Sequence, residues 1–267
     1  PESGYPGIMA VAPTTLSINY QIQTRAAGGD FADRGTGDWT PSGLLVAAVG
    51  PLDTVLHVNM TRFPSVGDGL LLNDEVIRVD AVDESAGTLN VGRGCFDTLP
   101  AGHDESDVIW LWRDALESDG IEYLAGETVE ARLLTRTSTE TLAASAAPVS
   151  SLVIAQRQSR PYLPGNIRVN GSPYPSQVIA ATDYTLIFAH RDRLLQADRL
   201  IDCTEGSIGP EPGVEYVATL INQDTAEEVW SITSGDASIP LPYVTGGSDA
   251  AEHALTLQSI RDGITSL

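Results

Sequence analysis

The stretch Leu16-Ser17-Ile18-Asn19-Tyr20-Gln21-Ile22-Gln23-Thr24 alternates apolar and polar side chains residue by residue. Successive side chains of a strand point to opposite faces, so this period predicts a β-strand with one buried face. Gly28-Gly29-Asp30 and Gly35-Thr36-Gly37-Asp38 then break it. The pattern repeats downstream as short apolar runs at 44–49, 55–58, 69–72, 76–82, 88–91 and 108–112. Turns such as Val66-Gly67-Asp68-Gly69 and Asp83-Glu84-Ser85-Ala86-Gly87 separate them. Short, closely spaced strands between Gly and Asp turns predict a small barrel or sandwich, not a parallel sheet. Strands at 129–136 and 152–156 follow, joined by a Ser-, Thr- and Ala-rich connection in which 139–147 lacks an amphipathic helical face.

Arg160-Pro161-Tyr162-Leu163-Pro164-Gly165 is the strongest punctuation in the chain, since two prolines and a glycine end any ladder. A domain boundary is expected there. Beyond it, runs at 166–169, 184–190, 216–222, 229–233, 239–241 and 254–260 have the spacing of a small immunoglobulin- or fibronectin-type sandwich, with six strands read where seven are expected. The expected fold class is therefore all-β. Residues 1–160 form a sheet-based domain, built from about 10–26 and 121–156, with a small β-barrel inserted at about 40–115. Residues 161–267 form a fibronectin III-like β-sandwich. The start at Pro1 and the end at Leu267, where a last strand would begin, are what a piece of a longer chain would show.

The chain has 267 residues, 42% of them hydrophobic, enough to bury a substantial core. Asp and Glu number 36 against 15 basic residues, all arginine, for a net charge of -21. That balance argues against nucleic-acid partners, which need a basic footprint, and against anionic membrane surfaces. It fits plain solubility, or a saline or GC-rich background that disfavours lysine. The apolar runs are too short for a membrane span. Two cysteines, Cys95 and Cys203, fall in different expected domains and read as ordinary thiols.

One stretch concentrates chemistry. Gly92-Arg93-Gly94-Cys95-Phe96-Asp97-Thr98-Leu99-Pro100-Ala101-Gly102-His103-Asp104-Glu105 carries a cysteine, a histidine and three carboxylates. A zinc site wants four converging ligands, usually in close pairs, and one Cys with one His falls short. A thiol nucleophile wants a histidine to activate it, which leaves Cys95 with His103 to be weighed against a structural excursion between strands. The turn-forming Pro100-Ala101-Gly102 favours the excursion. Asp74, Glu75, Asp80, Asp83 and Glu84 crowd one region without the spacing of a calcium loop. His190-Arg191-Asp192-Arg193 shares only letters with a kinase catalytic loop. No catalytic residue, metal ligand or cofactor is expected. Trp39, Trp110 and Trp112 remain as a possible interaction surface, Trp110 and Trp112 sharing a face by their two-residue spacing.

Several segments together carry a family resemblance. They are Thr36-Gly37-Asp38-Trp39-Thr40-Pro41-Ser42-Gly43-Leu44, Asn73-Asp74-Glu75-Val76-Ile77-Arg78-Val79, Val91-Gly92-Arg93-Gly94-Cys95-Phe96-Asp97-Thr98 with His103, the Arg160–Gly171 linker, Ala189-His190-Arg191-Asp192-Arg193 and Ser259-Ile260-Arg261-Asp262-Gly263. In combination the chain resembles the tail-tip and baseplate hub proteins of siphoviruses and gene transfer agents, in their C-terminal region. The resemblance implies a structural virion protein at the tail tip, acting in assembly and host attachment. Implied partners are other tail proteins (distal tail, tape measure, tip or fibre), further copies in a homotrimer, and a host surface glycan or receptor. It also implies that the quoted glycines and aspartates serve turns and packing. The family's large upstream hub portion has no counterpart in this sequence. Two other classes stay open here: a carbohydrate-binding module using the tryptophans, and a glycan or cell-wall hydrolase using acidic pairs, for which no motif stands out.

Overall fold

In the computed structural model, which describes residues 3–112, 116–177, 184–241 and 252–266, the alternation at the start of the chain becomes a one-sided strand. β1 (Ser3–Gly4) is short; β2 (Asn19–Ala26) buries Tyr20, Ile22 and Thr24 and leaves the residues between them partly exposed. β3 (Ala32–Gly37) follows. Then come β4 (Ser42–Leu45), β5 (Val55–Met60), β6 (Gly69–Leu72), β7 (Glu75–Asp83), β8 (Thr88–Gly92) and β9 (Val108–Trp110). These six close into a barrel in the order β4-β5-β8-β7-β6-β9. β10 (Tyr123–Leu124) pairs with β1, while β11 (Thr128–Arg136) and β12 (Ser150–Val153) join β2 and β3 in a four-stranded sheet, β12-β11-β2-β3. The barrel is thus inserted between β3 and β11 of one sheet, and the expectation of an all-β chain with an inserted barrel holds. The single helical turn among the described residues is a 3-10 turn at Arg157–Ser159.

The barrel closes because one face of every strand is apolar. Leu56, Leu70, Leu72, Ile77, Leu89 and Ile109 are each fully buried in its interior. Burial of such a side chain stabilises by about 1.5–3 kcal/mol. Gly43 stands opposite Met60, whose side chain occupies the space a Cβ at 43 would need. Small against large across facing strands is how a narrow barrel fills without voids.

By Cα proximity the chain gathers into two compact units, Pro1–Val91 with Gly102–Ser159, and Gly92–Ala101 with Arg160–Leu267. Cys95 and Cys203, read from the sequence as belonging to different domains, therefore lie in one unit; both are buried and free.

The second unit contains β13 (Gly165–Val169), β14 (Ser172–Pro173), β15 (Tyr184–Ala189), β16 (Glu215–Asn222), β17 (Glu228–Ser234), β18 (Ser238–Leu241), β19 (His253–Arg261) and β20 (Ile264–Thr265). They form two sheets, β14-β13-β15-β18 and β17-β16-β19-β20. Both contribute to one core, with Leu186, Phe188 and Ile239 from the first and Tyr216 and Ala218 from the second. Two short strands, β14 and β20, add to the six read from sequence. Each is the return arm of a two-residue hairpin, Asn170-Gly171 and Asp262-Gly263, with φ of 48° and 82°, and 53° and 78°. Asn-Gly and Asp-Gly suit such a turn because both central residues need positive φ.

Candidate functional site

The stretch from Gly92 to Glu105 is divided between folding roles. Arg93 is 1% exposed. Its backbone N–H donates to Asp202 Oδ2 at 2.7 Å, its carbonyl accepts from Cys203 N at 2.8 Å, and its guanidinium donates to Ala101 O at 2.5 Å. Gly94 has φ +54°, and a Cβ there would meet Pro100 at 2.8 Å and Cys203 Cβ at 3.0 Å, so only glycine lets these backbones approach. Cys95 is fully buried in a turn closed by the Thr98 N–H and hydroxyl, both donating to Cys95 O. The Phe96 ring packs against Tyr162 at 6.2 Å.

His103 belongs to the other unit and serves the barrel. Its ring is buried with Glu75, Nε2 donating to Glu75 Oε2 at 2.7 Å, while Nδ1 accepts from Asn73 Nδ2 at 3.3 Å. A neutral imidazole satisfies both contacts at once. Asn73 also donates to Asp107 Oδ2 at 2.8 Å. Cys95 and His103 fall in different units, and the His103 ring is hydrogen-bonded to Glu75 and Asn73.

The remaining chemistry-bearing residues diverge in the same way. Asp80 pairs with Arg78 at 2.6 Å, and Asp83 caps the turn after β7 by accepting from Ser85 Oγ and Ala86 N. These hydrogen bonds hold the Asp83 carboxyl below its ordinary range. Among the described residues, no group of three or more His, Cys, Asp and Glu side chains is placed to hold a metal ion. In the 190–193 segment, His190 Nδ1 and the Tyr216 hydroxyl share a hydrogen bond at 2.7 Å. Arg191 donates to the carbonyls of His190, Asp202, Glu205 and Gly206, closing the loop 202–206 around its guanidinium. Asp192 accepts from the N–H groups of Leu194 and Leu195, and Arg193 pairs with the buried Glu211 at 2.8 Å.

The three tryptophans occupy two places. Trp110 is half-buried on the outside of the barrel, opposite Leu71 and Ser42, because Ile109 and Leu111 point inward. Trp112 lies past the end of β9 with its indole against Gly69, where a Cβ would come within 3.1 Å of Nε1. Trp39 sits apart from both, tilted on Tyr20 at 4.8 Å beside Ile8 and Ile22. Burial, with Glu117 and Asp38 adding to it, pushes the Tyr20 hydroxyl up to about 12.

A polar cleft of about 270 Å³ opens on the outer face of the β12-β11-β2-β3 sheet, lined by Gln21, Asp33, Gly35, Thr36, Arg136 and Thr141. Sequence reasoning missed it because it depends on a β-bulge. Gln21 faces Thr36 and Gln23 faces Asp33, so β3 spends three steps where β2 spends two. Gly35, at φ +104°, takes the extra residue. Asp33 and Thr36, which plain alternation would send to opposite faces, thereby both reach the outer one. Asp33 accepts from Gly35 N at 2.9 Å and Gln21 Nε2 at 2.6 Å, which with the nearby Arg136 charge holds its carboxyl below the ordinary range. Arg136 is exposed, and a bridge to Thr141 folds the following loop back beside it. On the same sheet, the Arg25 and Arg132 guanidiniums lie 4.3 Å and 4.0 Å from the Phe31 ring centroid. The one sequence signal for this site was Gly35-Thr36-Gly37, a glycine pair inside an otherwise polar strand.

No protein-family model matches the chain, and no curated protein matches it. No helix among the described residues is long and apolar enough to cross a membrane.

Proposed function

We propose that this chain is a structural component of a bacteriophage tail tip or baseplate, of the hub type, working in tail assembly and host attachment. The observation that carries the reading is the fate of the 92–101 segment. Its cysteine is sealed in a turn, its arginine is buried, and its backbone is stitched to Asp202 and Cys203. Residues of one segment that carries the family resemblance thus make packing and backbone contacts, which supports the reading. The order of strands adds support. With β13, β15 and β18 consecutive in one sheet, β14 added at its edge, and β17, β16, β19 and β20 in the other, the order can be read as strands A-B-E and C′-C-F-G of an immunoglobulin-related sandwich. That favours a fibronectin III-like module. The partners in this reading are other tail proteins and further copies of the chain in a trimer, with a host surface molecule reached at attachment.

Immunogold electron microscopy on purified particles, with antibody raised to this chain, tests the proposal. Gold confined to the distal end of the tail is the expected result. Gold along the tail or on the capsid would remove the tip assignment. Absence of gold, with the protein free in culture supernatant, would overturn the virion reading in favour of a secreted binding module.

A further inference from the structure

We propose that the bulge cleft on the β12-β11-β2-β3 sheet binds a single hexopyranose unit of a neutral saccharide. The inference takes host attachment as its setting and names the chemistry it would read. The lining contains a carboxylate, an amide, two hydroxyls and a guanidinium, with no aliphatic side chain. Such a wall offers several partners to a polyol, whose hydroxyls both donate and accept.

Asp33 is held as a carboxylate by Gly35 N and Gln21 Nε2, and each of its oxygens keeps acceptor capacity for a ligand hydroxyl. Arg136 is exposed and makes no ion pair among the described residues, so its five donors are available to accepting oxygens. An acceptor and a donor of opposite charge can read two neighbouring hydroxyls of one ring, and charge-assisted hydrogen bonds of this kind are the stronger ones. Because the two charges balance, the cleft favours a neutral sugar over an acidic one. Its volume, about 270 Å³, falls just under the roughly 300–1,000 Å³ of sites for drug-sized ligands, which suits one monosaccharide. Three separate segments hold the walls in place: the β3 bulge, the β2 floor, and the Arg136–Thr141 bridge. The backbone of the cleft is set before any ligand arrives, while the exposed Arg136 side chain must be ordered on binding, which keeps saccharide binding weak.

The test is saturation-transfer NMR on the full chain with methyl α-D-glucopyranoside, methyl α-D-galactopyranoside, methyl α-D-mannopyranoside and N-acetyl-D-glucosamine at millimolar concentration. At least one pyranoside is expected to receive saturation. Asp33→Asn and Arg136→Gln, both at exposed positions, are each expected to weaken that binding at least tenfold, while Trp110→Ala leaves it unchanged. No transfer to any probe, or transfer that survives both cleft variants, would overturn the site. Because the assay uses isolated chain and free sugars, its failure leaves the tail-tip location standing, and failure of gold labelling leaves saccharide binding standing.

Discussion

At Arg93 a guanidinium is almost wholly removed from water, in a chain whose carboxylates outnumber its arginines by 36 to 15. Its position next to Gly94 and Cys95 is legible in the sequence; its use is not, because Asp202 and Cys203 lie far along the chain and nothing local announces them. His103 is a similar case. Its ring pairs with Glu75 where both side chains are almost fully buried, so removing the ring takes away a buried hydrogen bond. His103→Ala is expected to cost about 1–3 kcal/mol, the usual penalty for depriving a buried polar group of a hydrogen bond, measured by urea unfolding followed by tryptophan fluorescence. His190 supplies a pH test. Burial holds its pKa below the ordinary 6.5, with the Asp236 charge partly opposing. The unfolded chain therefore takes up a proton that the folded chain declines as pH falls through that value. Stability contributed at neutral pH is lost between the unfolded and folded pKa values and then levels off. Between pH 7.5 and 6, wild type is expected to lose more stability than His190→Gln; equal losses would remove the assignment.

Among the elements, strands were the easy part of the sequence. Period-two alternation marked β2, and apolar runs marked the barrel strands, since each buries one face. The barrel order was not legible, for β8 lies between β5 and β7 and β9 returns to β4, pairings with no local signature. The hairpins ending in β14 and β20 were legible in principle: Asn170-Gly171 and Asp262-Gly263 are the strongest short hairpin signals. The polar cleft was hidden because a bulge defeats alternation. Glycines at positive φ make a measurable contribution here. Gly263→Ala, at φ 78°, is expected to destabilise by about 1–2 kcal/mol, whereas Leu70→Ala in the barrel core is expected to cost about 2–5 kcal/mol. Thermal denaturation of both variants checks the order; a Gly263→Ala loss as large as that of Leu70→Ala would contradict it.

For the whole molecule, a net charge of -21 sets a background repulsion that folding must overcome. Salt screens it, so the melting temperature is expected to rise between 10 mM and 150 mM NaCl, where the Debye length shrinks from about 30 Å to about 8 Å. A flat or falling response would mean that local ion pairs such as Arg193–Glu211 outweigh the net charge. The division of the chain also matters for experiment. Since Gly92–Ala101 packs with Arg160–Leu267, cutting the chain at residue 160 would strip Arg93 and Cys95 of their surroundings, and any loss of adsorption would have two causes. The claim that ties residue, element and molecule together is that the most chemically loaded stretch is spent on folding. Thiol labelling tests it most directly. With a maleimide under native conditions, Cys95 is expected to react only as fast as the chain unfolds, and at the same rate after His103→Asn once the change in stability is allowed for. Rapid native-state labelling of Cys95 that depends on pH and collapses in His103→Asn would reveal an activated thiol and contradict the structural reading.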